Sequence, residues 1–248
     1  MAVELFSIQE KTMLQLHTFG PHFNMPDGSP FCIKALLLMK LSGLPYEVEQ
    51  MSFRKAPKGK APYLVDDNQT IADSHFIMKH LETKHGVDFS GGYSAEKRAI
   101  GWAAARMMEE HMYFLNGYER WMVDVNFWKG PIQFFKDVPA PIRPLVARIV
   151  RKKAGKTHQA QGLGRHSDDE RFELAKGNLV AVENILGKNK YFLGDKVSGA
   201  DASVFPFVWT ASTPYFKSKI GDYVRMRPVL TDYLQRMKLE FFPEYQNG

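Results

Sequence analysis

The stretch Ser29-Pro30-Phe31-Cys32 opens an apolar helical run, and Pro57-Lys58-Gly59-Lys60-Ala61-Pro62-Tyr63-Leu64 follows about thirty residues later. Ser29 suits a helix N-cap, and Pro30 suits the first helical position, where a missing N–H costs nothing. The helix is predicted to end at Ser42-Gly43. Asp73-Ser74 follows the second stretch and marks another helix start. The order and spacing of these segments decide the fold prediction.

Strands are predicted around these segments. Residues Leu14 to Phe19 alternate in polarity, and Tyr46 to Met51 form a second candidate strand. Tyr63 to Ile71 is typical of a hairpin with its turn at Asp67-Asn68. Strand-helix-strand followed by strand-strand-helix is the thioredoxin-like order. We therefore predict an α+β domain over residues 13–90, with a mixed four-stranded sheet and flanking helices.

The second half of the chain is predicted to be helical. A glycine pair near Phe89 to Tyr93 marks a boundary, and residues 94–248 are assigned to an all-α domain. Apolar residues recur at helical spacing from Glu96 to about Trp121. Two further helix starts carry capping boxes, at Ser167-Asp168-Asp169-Glu170 and at Ser198-Gly199-Ala200-Asp201.

Four segments, taken in order, resemble the cytosolic glutathione transferase superfamily. They are Ser29-Pro30-Phe31-Cys32, Gly59-Lys60-Ala61-Pro62, Asp73-Ser74, and the Tyr191-to-Asp201 region. More narrowly, the chain looks like the failed-axon-connections, cadmium-responsive and metaxin-like branch. That likeness rests on Leu44-Pro45-Tyr46, Glu119-Arg120-Trp121, Phe134 to Pro144, and Gln161 to Ser167. The resemblance implies the glutathione transferase fold, glutathione as co-substrate, and a homodimer whose interface the Leu5-to-Met13 extension could modify.

Glutathione would be bound mainly through the two carboxylates and the peptide backbone of glutathione itself. Asp73-Ser74, at a helix N-terminus, offers N–H groups and a hydroxyl to the γ-glutamyl carboxylate; the alternative is a plain helix cap. The resemblance implies that Pro62 is cis and that Ala61 pairs with the ligand backbone. Lys60 is assigned to the glycine carboxylate, whereas Lys58 is expected to be solvated.

The glutathione thiol needs its ionised form stabilised. Lowering a thiol pKa from about 8.5 to about 6.5 requires about 2.7 kcal/mol of preference for the thiolate. No tyrosine precedes Tyr46, which excludes the tyrosine-dependent classes, so Ser29 is the candidate activator. Its alternative role is an ordinary N-cap. Cys32 is the lesser candidate; it is either a small buried hydrophobe or a nucleophile that would favour deglutathionylation.

An aromatic surface is predicted for a second, apolar substrate. It is assigned to His111, Phe114, Tyr118 and Trp121, which equally suit the core of the helical domain. Glu109-Glu110-His111 contains residue types that bind metals, but adjacent positions on a helix point in different directions and do not form one chelating face. We therefore expect no metal.

Charge is concentrated in one part of the chain. The net charge is +6, yet residues 138–167 alone carry seven lysines and arginines and no acid. Within them, residues 142–156 form an amphipathic segment that suits an acidic partner, an anionic membrane surface or plain solvent. No nucleic-acid reader motif accompanies this segment. Arg165-His166 either stabilises a local turn or reaches the cleft, and the sequence does not separate these alternatives.

Two functions follow from these observations. The leading one is a glutathione transferase with serine-type thiol activation, which conjugates a small apolar electrophile or reduces a peroxide. The rival is a non-catalytic adaptor that docks through its basic helix. A single cysteine and an N-terminal segment without an apolar core, Met1 to Thr12, predict a cytoplasmic protein without a cleaved signal.

Overall fold

A four-stranded mixed sheet forms the first half of the protein, as predicted. The computed structural model describes residues 13–52, 55–136 and 138–246, so residues 5–12 of the predicted extension lie outside the described residues. The strands are β1 (Leu14–Thr18), β2 (Tyr46–Gln50), β3 (Tyr63–Asp66) and β4 (Gln69–Ala72), in the order β2-β1-β3-β4. Strand β1 is parallel to β2 and antiparallel to β3, and β4 is antiparallel to β3.

Two helices complete this half. Helix α1 (Pro30–Ser42) starts after Ser29 and ends at Gly43, whose φ of 66° provides the left-handed C-cap that the sequence predicts. Helix α2 (Ser74–His85) follows β4 with Asp73 as its N-cap. Nearly all of α1 is buried, because it lies between the sheet and the helical half.

The second half is helical throughout, which confirms the predicted fold class. Its helices are α3 (Ala95–Arg106), α4 (Tyr113–Met122), α5 (Asp124–Lys129), α6 (Arg143–Gln161), α7 (Asp168–Leu186), α8 (Gly199–Ser212), α9 (Lys219–Arg225) and α10 (Pro228–Phe241). A π-helical segment, Met107–Met112, joins α3 to α4, and short 3₁₀ turns cover Pro131–Phe135, Leu163–Arg165 and Pro243–Tyr245. The boundary between the halves, near residues 90–94, remains a prediction.

One hydrophobic core runs through both halves. It includes Leu16 of β1, Leu37 of α1, and Phe205 and Trp209 of α8, all buried. Helix α8 is buried on nearly every side and starts at the predicted capping box, in which Asp201 accepts from the backbone N–H of Ser198 at 2.9 Å. The predicted capping box at Ser167 and Glu170 is also formed.

Helix α6 differs from the simple amphipathic expectation. Ile142, Leu145 and Ile149 are 50%, 60% and 60% exposed, while Ala147 and His158 are buried. Of the apolar residues at helical spacing in this segment, which are Ile142, Leu145, Val146, Ile149 and Val150, three are exposed and two are half-buried, while α6 contacts α4 through other positions. Across the described ranges 13–52, 55–136 and 138–246, every helix is too short or too polar to cross a bilayer.

Candidate functional site

The predicted glutathione-binding segments meet at one edge of the sheet. Strand β1 ends at Thr18 and leads toward α1, while His17 of β1 pairs with Tyr63 at the start of β3. Tyr63 in turn pairs with Ala72, the last residue of β4. The ends of β1 and β4 therefore lie at the same edge of the sheet as the start of β3. Pro62, which precedes β3, and the start of α2, which follows β4, are both at this edge. The chain also leaves this edge after β1 on its way to α1.

The start of α2 is built like a ligand site. Asp73 has a φ of 82°, a backbone conformation that residues other than glycine rarely adopt, and its carboxylate accepts from the backbone N–H of His75 at 3.0 Å. The neighbouring Ser74 is fully buried, and its hydroxyl finds no hydrogen-bond partner within the described residues. A buried hydroxyl without a partner costs roughly 1–3 kcal/mol, so it is a feature that a ligand would satisfy.

The Ala61–Pro62 peptide is cis, as the resemblance implies. The carbonyl of Pro62 accepts from the backbone N–H of Asp73 at 3.3 Å, which joins the two predicted glutathione-binding segments directly. Lys60 is exposed beside them, at the end of the turn. The ammonium of Lys58 lies 5.0 Å from the centroid of the exposed Phe76 ring, close to solvent as expected.

Ser29 occupies the N-cap position of α1, but its hydroxyl does not cap the helix N–H groups. It lies beside the thiol of Cys32, whose pKa it lowers in opposition to burial. Cys32 is fully buried, and burial, reinforced by the nearby Asp27, raises the pKa of its thiol well above the ordinary value. These are properties of an inert core thiol, which favours Ser29 over Cys32 as the reactive position.

Asp27 is a member of this site that the sequence analysis did not identify. It is fully buried, and its carboxyl accepts from the backbone N–H groups of Ser29 at 2.7 Å and Gly20 at 2.9 Å. Burial raises the pKa of Asp27 to about 7, against the opposing effect of these hydrogen bonds. The carboxyl thus anchors the backbone at Ser29. Its loop position among turn-forming residues gave no sign of burial.

The predicted second-substrate residues are half-buried and contact other helices of the helical half. His111 bonds Asn178 of α7, with 2.8 Å between its Nδ1 and the amide nitrogen. The rings of Phe114 and Tyr118 contact His158 of α6, with centroids 5.8 and 5.4 Å apart. Trp121 packs on Phe127 of α5, with centroids 6.0 Å apart. The pocket remains a prediction.

One aromatic residue of α4 does face the N-terminus of α1. Tyr113 lies edge-on to Phe31, with ring centroids 5.0 Å apart, and is 38% exposed. Nearby, the buried guanidinium of Arg120 donates to the carbonyl of Gly28 at 3.0 Å and to the carbonyl of Thr210 in α8. Arg120 thereby holds the loop before Ser29 against the helical half.

A buried ion pair lies behind the start of α2. The ammonium of Lys34 in α1 donates to Glu109 at 2.6 Å, and Arg106 bonds the other oxygen of the same carboxylate. Glu109 sits in the π-helical segment, a geometry frequent at functional sites. Burial lowers the pKa of His75 nearby, and the charges of Lys34 and Arg106 add to this effect. Lys34, His75 and Arg106 border a cavity of about 170 Å³ between the two halves.

Two other clusters bear on the sequence predictions. Arg165 donates to the carbonyl of Gln159 at 3.1 Å, so it stabilises the local turn, and His166 is exposed. Asp66, His80 and His85 converge on the far side of the β3–β4 hairpin, a grouping that the sequence analysis missed. His80 and His85 lie five apart on α2, and only the fold brings Asp66 to them.

Two family models match the chain. Residues 30–126 match the model described as the glutathione S-transferase N-terminal domain, and residues 175–237 match the glutathione S-transferase C-terminal domain. The crystal structure of a beta-etherase from Sphingobium sp. strain SYK-6 aligns with 94% of this chain and 100% of its own, with a TM-score of 0.65 and 20% identity. At that identity the likeness shows a common fold.

Curated relatives fall into several groups. An isoprene-epoxide–glutathione S-transferase of Rhodococcus sp. (strain AD45) is 27% identical over 92% of this chain and 99% of its own length. Failed axon connections of Drosophila melanogaster is 29% identical over 95% of this chain, which spans 60% of that longer protein. Metaxin-2 of Mus musculus is 21% identical over 78% of this chain and 74% of its own length.

Proposed function

Since the chain belongs to the glutathione transferase superfamily, we propose that it binds glutathione at the sheet edge where α1, β3 and α2 begin. The hydroxyl of Ser74 and the N–H groups at the start of α2 hydrogen-bond the γ-glutamyl carboxylate, and the carboxylate of Asp73, or an acid of a second subunit, pairs with the ammonium. The backbone of Ala61, beside Pro62, pairs with the cysteinyl residue. Lys60 meets the glycine carboxylate. The working form is a homodimer in the cytoplasm.

The observation that carries this proposal is the buried hydroxyl of Ser74 at the first position of α2. It faces no acceptor or donor within the described residues and sits beside the strained backbone of Asp73. A plain helix cap explains neither feature, because Asp73 already caps the helix through the N–H of His75. A carboxylate ligand accounts for both features at once.

Ser29 is proposed to activate the bound thiol for conjugation to a small apolar electrophile or for peroxide reduction. Its hydroxyl is not used in capping, it is half-buried, and it stands at the N-terminus of a 13-residue helix. The hydroxyl hydrogen bond and the positive end of the helix dipole both favour a thiolate. Tyr113 and Phe31 offer apolar surface beside it.

Titration calorimetry with glutathione at low salt tests the site. We expect micromolar to low-millimolar affinity, weakened at least tenfold (about 1.4 kcal/mol) by Ser74→Ala. Thr83→Ala, on an exposed turn of the same helix, is the matched control and leaves affinity unchanged. The absence of binding heat, or equal losses in both variants, would overturn the proposed site.

Turnover is tested separately with a chromogenic aryl halide and with an organic hydroperoxide. Ser29→Ala is expected to keep glutathione affinity within about twofold and to lower kcat at least tenfold, since a hydrogen bond to a charged group is worth about 1.5–3 kcal/mol. The pH at which the bound thiol ionises should rise in the same variant. An unchanged kcat and an unchanged thiol pKa would remove Ser29 from the mechanism.

A second candidate function is docking on an anionic membrane surface through α6. The exposed apolar row formed by Ile142, Leu145 and Ile149 continues along the helix into exposed basic side chains; these are Arg148, Lys152, Lys153 and Lys156. Such a face fits a lipid interface with negative headgroups. It extends the adaptor alternative and is compatible with glutathione binding.

Sedimentation with vesicles tests this surface. The full chain should bind vesicles containing phosphatidylserine and not neutral ones, and raised salt should weaken the binding. Leu145→Ser with Ile149→Ser should abolish it, whereas Leu239→Ser, at an exposed leucine of α10, should not. Binding that is equal for both variants would refute docking through α6, and retention by an acidic polypeptide instead would assign the face to a protein partner.

A further inference from the structure

Three metal-ligating side chains meet on the side of the sheet domain away from the glutathione-binding segments. The Nε2 atom of His80 lies 2.6 Å from Oδ2 of Asp66, and the Nε2 atom of His85 lies 2.7 Å from the same oxygen. The two imidazole rings are 5.8 Å apart between centroids. All three potential ligand atoms lie within 4.8 Å of one another.

The fold places these residues with little freedom. Asp66 is the last residue of β3, directly before the hairpin turn, and the two histidines come from the second half of α2. The side chain of Asp66 is 3% exposed, and those of His80 and His85 are 12% and 13% exposed. The cluster is therefore shielded on the protein side but open to small ions from solvent.

We propose that Asp66, His80 and His85 form a binding site for Zn²⁺ or a similar first-row divalent cation, with a water molecule as the fourth ligand. Two imidazole nitrogens and one carboxylate are a usual ligand set for such an ion. Zinc–ligand distances of about 2.0–2.2 Å in a tetrahedron require ligand atoms roughly 3.4 Å apart. The present 2.6 and 2.7 Å contacts would have to open by about 0.7 Å, and the two imidazole nitrogens, which lie within 4.8 Å of each other, would have to take the same spacing.

The charge of the cluster also favours a cation. The carboxylate of Asp66 is surrounded by donors: both histidines and the ammonium of Lys84 contact its Oδ2 atom. An aspartate is ordinarily ionised at neutral pH, as a metal ligand must be. A single bound ion would therefore replace three contacts to this oxygen, two from histidines and one from Lys84, with three coordinate bonds to the protein.

Lys84 is the competing cation, and it provides a sharp control. Its ammonium lies 3.0 Å from Asp66 and 2.8 Å from Asp67, and its side chain is 36% exposed. On metal binding, Lys84 can keep Asp67 as its partner while it releases Asp66. Removing the ammonium should therefore tighten metal binding, which a cluster held only by hydrogen bonds would not show.

Titration of the chelator-treated full chain with Zn²⁺ alone tests the proposal. We expect one ion bound per chain, an increase in Tm with Zn²⁺, and Co²⁺ absorption bands typical of tetrahedral coordination. His80→Gln and His85→Gln should each weaken binding by roughly 100-fold, the upper end of what even an outer-shell loss costs. Lys84→Met should tighten it several-fold, and His166→Gln, at an exposed histidine elsewhere, should change nothing.

The Zn²⁺ titration remains informative even if one variant fails to fold, because the variants are expected to change metal affinity in different directions. His85→Gln and Lys84→Met act in opposite directions on metal affinity, and glutathione titration of each variant reports whether the neighbouring segments remain intact. Absence of Zn²⁺ binding, or equal affinity in the chain and in His80→Gln with His85→Gln, would overturn the site. If the histidine variants lose Zn²⁺ binding but still bind glutathione as the wild-type chain does, the result would support the metal site and leave the proposed function unaffected.

Discussion

Replacing Asp27 by asparagine should change how the stability of this protein depends on pH. The carboxyl of Asp27 is fully buried below Ser29, and burial raises its pKa from 3.8 to about 7. An unfolded chain ionises this group near pH 4, whereas the folded chain holds the proton until about pH 7. Stability is therefore lost as pH rises through this interval, because the folded state binds more protons than the unfolded state.

The size of this effect follows from the two pKa values. Between pH 5 and pH 8 the wild-type chain should lose about 2.5 kcal/mol of unfolding free energy that Asp27→Asn does not lose. The asparagine amide can accept only one of the two backbone N–H groups bound by the carboxylate, which costs about 1–3 kcal/mol at every pH. This constant cost lowers the unfolding free energy of the variant equally at every pH and leaves the slope of unfolding free energy against pH unaffected.

Urea unfolding followed by tryptophan fluorescence at pH 5, 6, 7 and 8 measures both quantities. Glu47→Gln, at an exposed carboxylate on β2, is the matched control and should follow the wild-type slope. If Asp27→Asn and wild-type curves run parallel within about 0.5 kcal/mol over this range, the raised pKa of Asp27 is refuted. The result would then place an ionised carboxylate under Ser29.

Two further substitutions probe the parts that hold the site in place. Glu109→Gln removes the charge that lies 2.6 Å from the buried ammonium of Lys34, and should lower the unfolding free energy by about 3–5 kcal/mol. The control Glu110→Gln, at an exposed carboxylate, should lower it by less than about 1 kcal/mol. Equal losses in the two variants would contradict a buried ion pair. Asp201→Ala removes an acceptor shared by two backbone N–H groups and a tyrosine hydroxyl, and should cost about 3 kcal/mol or more in urea unfolding. A loss below about 1 kcal/mol there would show that the capping box contributes little.

Local signals predicted most of the fold. The Ser29-Pro30 start and the Gly43 end of α1 follow from capping preferences of single residues, and the capping boxes at Ser167 and Ser198 work in the same way. The β3–β4 hairpin was visible from its turn at Asp67-Asn68. In each case the residues that determine the structure are neighbours in the chain, so the pattern carries the information.

The features that were missed depend on contacts between distant segments. Asp27 lies in a polar-looking loop, and it is close to Tyr245, a residue more than 200 positions away in the chain. Periodicity marked the apolar row of α6 but could not tell whether another element covers it, and the structure leaves Leu145 exposed. The convergence of Asp66 with His85 likewise requires the hairpin to pack on α2, which no spacing rule reveals.

The buried contact of Arg120 has a mechanical consequence for how ligands reach the cleft. Its guanidinium joins the carbonyl of Gly28, one residue before Ser29, to the carbonyl of Thr210 in the other half of the molecule. Arg120 and Thr210 both belong to the helical half, so a hinge motion that separated the halves would break the bond to Gly28, at a cost of about 1.5–3 kcal/mol. We therefore expect the two halves to move as one rigid body. Entry and release would depend on rotation of surface side chains such as Tyr113, on a timescale of nanoseconds.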